Sequence, residues 1–354
     1  MFPRLAYLRW MHDRQAAAAV DLGSSDQRLG DALDRLEPLP DPPDGHDLRA
    51  RLAAELDVAP AQVLVTAGAS HANVIAAATA LTGSRREVLV ETPGYEPLSG
   101  TPRGLGATVR TFERPAADGF ALDPDRVSAA LTDETAHVAV TDRHNPSGRR
   151  ADPVTLEVVA AAARDRGARL LVDEVYAPFD LGPADRPGLG GGTAAGLEGT
   201  VVTGSVTKFL GLGDLRIGWL VADEGFVERA RDVVAHVPAL AGTSERLAAR
   251  AFADRAGQVE RARRRAVGNA ARLAAFVDGR DDLDGTVHEA CPFAFVAHRE
   301  ADGDAVAEAA WAAGVLVVPG RFFGLPSRFR LGATADGPTT ERGLAALGRV
   351  LDAL

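Results

Sequence analysis

The sequence predicts an α/β protein built around a mostly parallel β-sheet with crossover helices. Short runs rich in valine and leucine alternate with longer helical stretches, which is the pattern of repeated strand–helix units. The chain has 354 residues, 46% of them hydrophobic and 25% charged, so it can form one large domain with a smaller one. Polar residues or glycines also follow several predicted strands at their carboxyl ends, where open parallel sheets bind ligands.

The amino-terminal part is predicted to form an arm that leads into the first amphipathic helix. Residues 1–20 are predicted to be helical, and residues 20–26 to form a short strand and a polar turn. Residues 38–45 are rich in proline and are predicted to be a rigid linker. Apolar residues in 48–56 recur with the spacing of a helix that buries one face.

Five predicted strands end next to residues that can bind a ligand. These strands span residues 62–66, 87–91, 137–141, 169–172 and 201–203. The candidates that follow them are Gly68, Ala69 and Ser70, then Tyr95, Asn145, Asp173 and Lys208. Because parallel strands end at one edge of a sheet, we expect these residues to converge there. Taken singly, each has a structural alternative: an ordinary turn at Gly68, a core tyrosine at Tyr95, or a helix cap at Asp173.

Lys208 is the only lysine in the chain, whose other positive side chains are all arginine. A lysine amine can lose its proton and act as a nucleophile, whereas a guanidinium remains charged. Ser205 and Arg216 lie close in sequence, and hydroxyls beside a guanidinium favour an anion such as phosphate. This pattern indicates a lysine that forms a Schiff base with an aldehyde cofactor. The alternative is a lysine left by chance at a strand-to-loop junction.

The carboxyl-terminal part is predicted to contain a long helical stretch, residues 243–277, followed by strands at 293–296, 315–318 and from 329 onward. The glycine-rich run Gly188–Gly192 is predicted to be a flexible surface loop.

Three motifs resemble those of a known enzyme family. Ser205-x-x-Lys208 followed by Arg216-x-Gly218-Trp219 resembles the cofactor-lysine motif of fold type I pyridoxal-phosphate (PLP) enzymes, in the class I/II aminotransferase branch. The proline-rich run is similar to that of histidinol-phosphate-type aminotransferases, and the sequence His-Asn-Pro-Ser-Gly at 144–148 resembles a motif of the wider family. The resemblance covers roughly residues 20–335 and adds to the prediction made from the residues.

The resemblance implies a large PLP-binding domain, residues 45–250, with a mostly parallel seven-stranded sheet. It implies a smaller α+β domain assembled from residues 1–44 and 251–354. It also implies a homodimer with its sites between subunits. The family usually has a tyrosine where Leu39 stands, which reaches the partner's cofactor phosphate, and His46 is a candidate substitute.

The resemblance also assigns roles to the candidates. Lys208 would hold PLP and move the proton of the substrate, and Asp173 would keep the pyridine nitrogen protonated. Tyr95 would stack on the ring, while Asn145 and Tyr176 would bind its phenolic oxygen. The residues implied for the phosphate are Gly68, Ala69, Ser70, Ser205 and Arg216. Arg330 would grip the substrate α-carboxylate, with Arg321 and Arg328 as rivals and Asn145 nearby.

Together these observations predict transamination between an amino acid and a 2-oxo acid. The same residues can serve elimination, decarboxylation or cyclisation, and a PLP-sensing regulatory domain is a further alternative. The net charge of −10 argues against nucleic-acid binding. The sequence has no long apolar span and a single cysteine, Cys291, so we expect a cytoplasmic protein without membrane contact or disulfides. No metal site is expected.

Overall fold

Seven strands form the central sheet of the computed structural model, which describes residues 2–354. They are β2 (Val63–Thr66), β3 (Glu87–Thr92), β4 (Thr108–Glu113), β5 (Thr135–Thr141), β6 (Arg169–Asp173), β7 (Thr200–Ser205) and β8 (Gly218–Val221). Their order across the sheet is β2-β8-β7-β6-β5-β3-β4, and only β8 runs antiparallel to its neighbours. The predicted α/β class and the mostly parallel sheet are therefore confirmed.

Twelve α-helices of the described chain surround the sheets or bridge them. They are α1 (Ala6–Gln15), α2 (Ala32–Leu36), α3 (Leu48–Leu56), α4 (Ala69–Ala80), α5 (Glu96–Gly104), α6 (Pro124–Ala130), α7 (Pro153–Asp165), α8 (Glu224–His236), α9 (Gly242–Ala253), α10 (Arg255–Asp278), α11 (Gly303–Ala312) and α12 (Gly337–Leu351). Local sequence explains where α7 begins. Pro153 is its first residue, and the Asp152 carboxylate caps the helix by accepting a hydrogen bond from Val154 N at 2.8 Å.

Strands β5 and β7, in the middle of the central sheet, are buried on both faces. Every residue of β5 and β7 is buried, which fits their valine-rich sequences and the helices that cover a parallel sheet. By contrast, β4 lies at the sheet edge with most of its side chains exposed, and its sequence Thr-Val-Arg-Thr-Phe-Glu gave no strand prediction.

A second sheet lies in the carboxyl-terminal part of the chain. Its order is β12-β13-β10-β9, from β9 (Leu283–Asp284), β10 (Phe293–His298), β12 (Val318–Pro319) and β13 (Arg328–Gly332). A separate parallel pair joins β1 (Val20–Asp21) to β11 (Val315–Leu316), so the amino-terminal segment is tied to this region. Helix α10 packs against both hydrophobic cores, through Val259 and Ala262 on one side and Leu273 and Val277 on the other.

The predicted surface loop Gly188–Gly192 is wrong, because these five residues are buried. Leu189 N donates to the Glu55 Oε1 carboxylate at 2.6 Å, and Gly190 O accepts from the Arg263 guanidinium at 3.3 Å. The glycines therefore allow close packing of backbone against neighbouring segments. Within residues 2–354, no helix is long and apolar enough to cross a membrane.

Candidate active site

A cavity of about 210 Å³ lies at the carboxyl edge of the central sheet. It is lined by Tyr7, Leu8, Asp26, Ala69, Ser70, Asn73, Tyr95, Thr141, Asn145, Asp173, Val175, Tyr176, Ser205, Thr207, Lys208 and Arg216. Nine of the predicted site residues are in this lining, and the two others, Gly68 and Arg330, lie directly behind lining residues. The convergence expected from the parallel strands is thus present in the structure.

Lys208 extends into the cavity from the loop after β7. Its Nζ atom forms an ion pair with the Asp26 carboxylate and donates to Ser25 Oγ at 3.4 Å. Burial acts to lower the pKa of Lys208, but Asp26 and the nearby hydroxyls of Tyr176 and Tyr95 outweigh it and raise the pKa above its ordinary value. Without another group in the cavity, the lysine is therefore held as an ammonium ion.

Asp173 ends strand β6 and is 2% exposed. Asn73 donates to Asp173 Oδ2 at 2.8 Å, and Val175 N donates to Oδ1 at 3.2 Å. The hydroxyl of Thr203 in turn donates to Asn73 Oδ1 at 2.7 Å, which fixes the amide so that its NH₂ faces the carboxylate. Burial raises the pKa of Asp173, while these hydrogen bonds and Lys208 oppose the rise. A positively charged partner would lower that pKa and hold the carboxylate ionised.

One end of the cavity is suited to an anion. Helix α4 begins after Gly68, whose φ of 82° is left-handed, and its first N–H groups have no partner within a helix. A Cβ at Gly68 would lie 2.9 Å from Arg216 Nη2, so glycine lets the guanidinium approach the helix start. A Cβ at Gly218 would lie 2.7 Å from Ala69 N, which explains the glycine in this motif. Ser205 adds a hydroxyl to the same lining.

The opposite end is built around Arg330, which is 0% exposed. Its Nη1 donates to Asn145 Oδ1 at 2.8 Å, and its Nη2 donates to Tyr7 Oη at 2.8 Å and to Gly23 O at 2.9 Å. Its Nε has no partner within the described residues. Arg330 therefore lies one contact away from the cavity, behind Asn145 and Tyr7.

The turns that carry Tyr95 and Asn145 are joined by His144. Its Nε2 is 2.7 Å from Pro93 O, and its Nδ1 is 2.7 Å from Ser147 Oγ. Burial and the nearby Arg114 lower the pKa of His144, so the imidazole is neutral and links the two turns by hydrogen bonds.

The polar cavity residues that sequence reasoning missed include Tyr7, Asp26 and Asn73. Tyr7 is one of only three tyrosines in the chain, and that scarcity was the one available signal. It reaches the cavity because Glu96 Oε1 and Oε2 accept from Ala6 N and Tyr7 N, at 2.9 and 2.8 Å, and so hold the start of α1.

The rival arginines are engaged elsewhere. Arg321 pairs with Asp304, and Arg328 Nη2 lies 2.5 Å from Asp284 Oδ2. Their positions favour Arg330 as the guanidinium next to the cavity.

Neither Leu39 nor His46 lines the cavity of the single chain. Leu39 packs against the large hydrophobic core, and His46 Nε2 lies 3.0 Å from Asp41 Oδ1.

The sheet order, the lone lysine in the cavity with a buried aspartate, and the helix start suited to an anion fit a fold type I PLP-dependent enzyme. The chain matches the family described as aminotransferase class I and II over residues 39–347 and belongs to that family.

The proteins similar to this chain are named for different activities. The chain is 32% identical to capreomycidine synthase of Streptomyces vinaceus over 316 residues, 86% of this chain and 78% of that protein. It is also 32% identical to histidinol-phosphate aminotransferase of Halobacterium salinarum over 321 residues, 86% and 81% of the two chains. A PLP-dependent aminotransferase structure from Streptococcus suis superposes with a TM-score of 0.84 at 22% identity, covering 99% and 98%.

Pyridoxal 5′-phosphate is the cofactor of this family. The cavity fits it: Arg216 and the start of α4 suit a phosphate, the buried Asp173 suits a protonated pyridine nitrogen, and Lys208 suits an aldehyde. In particular, an ionised carboxylate at 2% exposure needs a cation to balance it, and a pyridinium supplies one.

Proposed function

We propose that this protein is a PLP-dependent aminotransferase that moves an amino group between an L-amino acid and a 2-oxo acid. The observation that carries the proposal is the position of the only lysine, Lys208, in one cavity with Asp173 and the anion-binding start of α4. The family match supports an amino-acid substrate.

When bound, PLP supplies an aldehyde for the amine and a cationic ring that withdraws electrons from the substrate's α-carbon. In our proposal Lys208 Nζ would hold that aldehyde, and as a free amine it would take the proton from the substrate's α-carbon as general base and return it as general acid. Its ion pair with Asp26 must open for this, because only the unprotonated amine is a nucleophile or a base.

The other residues orient and tune the reacting groups. Asp173 holds the proton of the pyridine nitrogen, and its hydrogen bond from Asn73 favours the ionised carboxylate this requires. In this proposal Tyr176 and Asn145 bind the phenolic oxygen and Tyr95 covers the ring, and all three residues line the cavity. Ser205, Arg216, Gly68, Ala69 and Ser70 are assigned to the phosphate.

Arg330 is assigned to the substrate carboxylate, with Asn145 holding its guanidinium at 2.8 Å. Its Nη2 is bonded to Tyr7 Oη and Gly23 O in the present arrangement. A carboxylate would therefore replace or join the Tyr7 contact. Because Tyr7 lines the cavity, its hydroxyl can also bind the arriving group.

We further propose that the enzyme is a homodimer in which the partner subunit completes the phosphate end of the site. Arg216 is exposed in the single chain, whereas Asp173 is buried. With leucine at position 39, the contact that relatives make with a tyrosine must come from another group.

The second candidate function is a reaction that shares the first step of transamination but gives a different product, such as elimination or cyclisation. It is favoured by the similarity to capreomycidine synthase, whose name is that of a synthase and not of an aminotransferase. Both candidates begin with loss of the α-proton to Lys208.

A single-turnover experiment separates the two. The PLP-loaded enzyme is mixed with each of a panel of amino acids without an acceptor, and 2-oxo acid is quantified per active site. Transamination gives one equivalent, and repeated turnover begins only when a 2-oxo acid such as pyruvate is added. A lyase or cyclase forms many equivalents of product without acceptor, which would overturn the transaminase proposal.

Lys208→Arg is the matched control, because it keeps the positive charge beside Asp26 but cannot form an imine. We expect a folded protein without turnover and without borohydride-stable attachment of PLP. Attachment elsewhere in this variant would contradict the role assigned to Lys208.

A further inference from the structure

Asp26 is a cavity residue whose role neither the sheet edge nor the cofactor explains. It lies in the turn after β1, and its side chain is 44% exposed where it lines the cavity. The polar contact that the structure gives to its carboxylate is the ion pair with Lys208 Nζ. If Nζ held an aldehyde as an imine, formed with loss of water, Asp26 would no longer face the lysine ammonium that it pairs with here.

The remaining charges of the site are already assigned. The other carboxylate in the lining, Asp173, is bound by Asn73 and by Val175 N. Arg216 lies at the anion-binding end, and Arg330 lies behind Asn145. An amino acid placed here would therefore leave Asp26 as the charged group available to its side chain.

The cations of the cavity lining are Lys208 and Arg216, and both are already assigned, so a second acidic group on the substrate would find no further cation in the lining. Arg321 is paired with Asp304, and Arg328 donates to Asp284 Oδ2 at 2.5 Å. An anionic side chain would instead meet the Asp26 carboxylate and be repelled. The same wall contains Leu8, an apolar surface on which a methylene chain can pack.

We propose that Asp26 is a specificity-determining residue that selects amino acids whose side chain carries a positive charge, a guanidinium or an ammonium. The inference rests on the proposed function only in requiring that the site bind an α-amino acid. It holds equally for transamination and for elimination or cyclisation.

The test compares pairs of amino acids of similar shape that differ in charge. L-Arginine and L-citrulline, and L-lysine and L-norleucine, are titrated into the PLP-loaded enzyme, and apparent dissociation constants are taken from the change in cofactor absorbance. A hydrogen bond between charged groups predicts binding of the cationic member about 10-fold to 100-fold tighter. This readout needs no product, so it remains informative if no 2-oxo acid forms and the transaminase proposal fails.

Asp26→Asn keeps the shape of the side chain and removes its charge, and it should bring the two members of each pair within about threefold of each other. Asp214→Asn makes the same change at an exposed residue outside the cavity lining and should keep the wild-type preference. Equal affinities in the wild type, or a preference that survives in Asp26→Asn, would overturn the proposal. If Asp26→Asn does not load PLP, the wild-type enzyme is titrated at several salt concentrations. A preference for the cationic amino acid that weakens as salt is raised supports the proposal, and a salt-independent preference refutes it.

Discussion

Replacing Asn73 with alanine tests how the site keeps Asp173 ionised. The side chain of Asn73 supplies the shorter of the two hydrogen bonds to the carboxylate, at 2.8 Å, against 3.2 Å for Val175 N. A hydrogen bond to a charged group is worth about 1.5–3 kcal/mol, and one pKa unit corresponds to about 1.4 kcal/mol. Losing it should therefore raise the pKa of Asp173 by a further one to two units, roughly.

The assay is the dissociation constant of PLP from the apoprotein, measured by fluorescence as a function of pH. An ionised Asp173 attracts the pyridinium, and a carboxyl with a higher pKa ionises only at higher pH. The pH range over which PLP binding strengthens should therefore move upward in Asn73→Ala by about one to two pH units. At a pH within that range, affinity should fall about 10-fold to 100-fold.

Thr203→Val is the matched control for this prediction. It removes the hydroxyl that donates to Asn73 Oδ1 at 2.7 Å but leaves the bond from Asn73 to Asp173. The pH range over which PLP binding strengthens should move less in Thr203→Val than in Asn73→Ala, because the lost hydrogen bond acts on the carboxylate only through the orientation of the amide. A folded Asn73→Ala protein with the wild-type pH dependence would refute the view that Asn73 sets the ionisation of Asp173.

Two further predictions address the anion-binding end and a buried acid. Gly68→Ala adds a Cβ 2.9 Å from Arg216 Nη2 at a residue whose φ is 82°, so the affinity for PLP should fall about 10-fold. Gly242→Ala adds a Cβ in open space and should leave the affinity unchanged. An equal effect of both changes would contradict this account of Gly68. Burial raises the pKa of Glu174 from 4.5 to about 8, so between these pH values the native state keeps a proton that the unfolded chain loses. The free energy of unfolding should therefore fall as pH rises through this range, by at most about 1.4 kcal/mol per pH unit. Urea unfolding at several pH values should show that Glu174→Gln lacks this component, and an identical slope in the variant would show that Glu174 is ionised in the folded protein.

The sequence could predict the site to the extent that it lies at one edge of a parallel sheet. Tyr95, Asn145, Asp173 and Lys208 each follow a strand, and strand ends are readable from short apolar runs. The chain direction then fixes the edge at which they meet, so no distances were needed to predict their convergence.

Residues contributed from elsewhere could not be predicted in this way. Asn73 lies in the second turn of α4, and its contact with Asp173 depends on how that helix crosses the sheet. Asp26 and Tyr7 come from the amino-terminal arm, whose position over the cavity depends on the pairing of β1 with β11 and on the contact of Glu96 with the start of α1. These contacts join segments far apart in sequence, and no local pattern encodes them.

The glycine-rich loop shows a related difficulty. Gly188–Gly192 has the composition of a mobile surface segment, yet it is buried because Arg263 and Glu55 bond its backbone. Glycine is used both where a chain is free and where backbones must pack closely, so composition alone does not separate the two.

Rarity in the composition proved more informative than any single motif. The chain has 13 phenylalanines and three tyrosines, and all three tyrosines, Tyr7, Tyr95 and Tyr176, line the cavity that holds its only lysine. Apolar aromatic packing is available to phenylalanine, so a tyrosine is needed where a hydroxyl must bond, as Tyr7 does with Arg330 and Tyr176 with Ser25, both within 2.8 Å. Likewise arginine can carry surface charge, whereas a nucleophilic amine requires lysine. In this chain the single lysine and the three tyrosines are concentrated at the cavity, where their chemistry has no substitute.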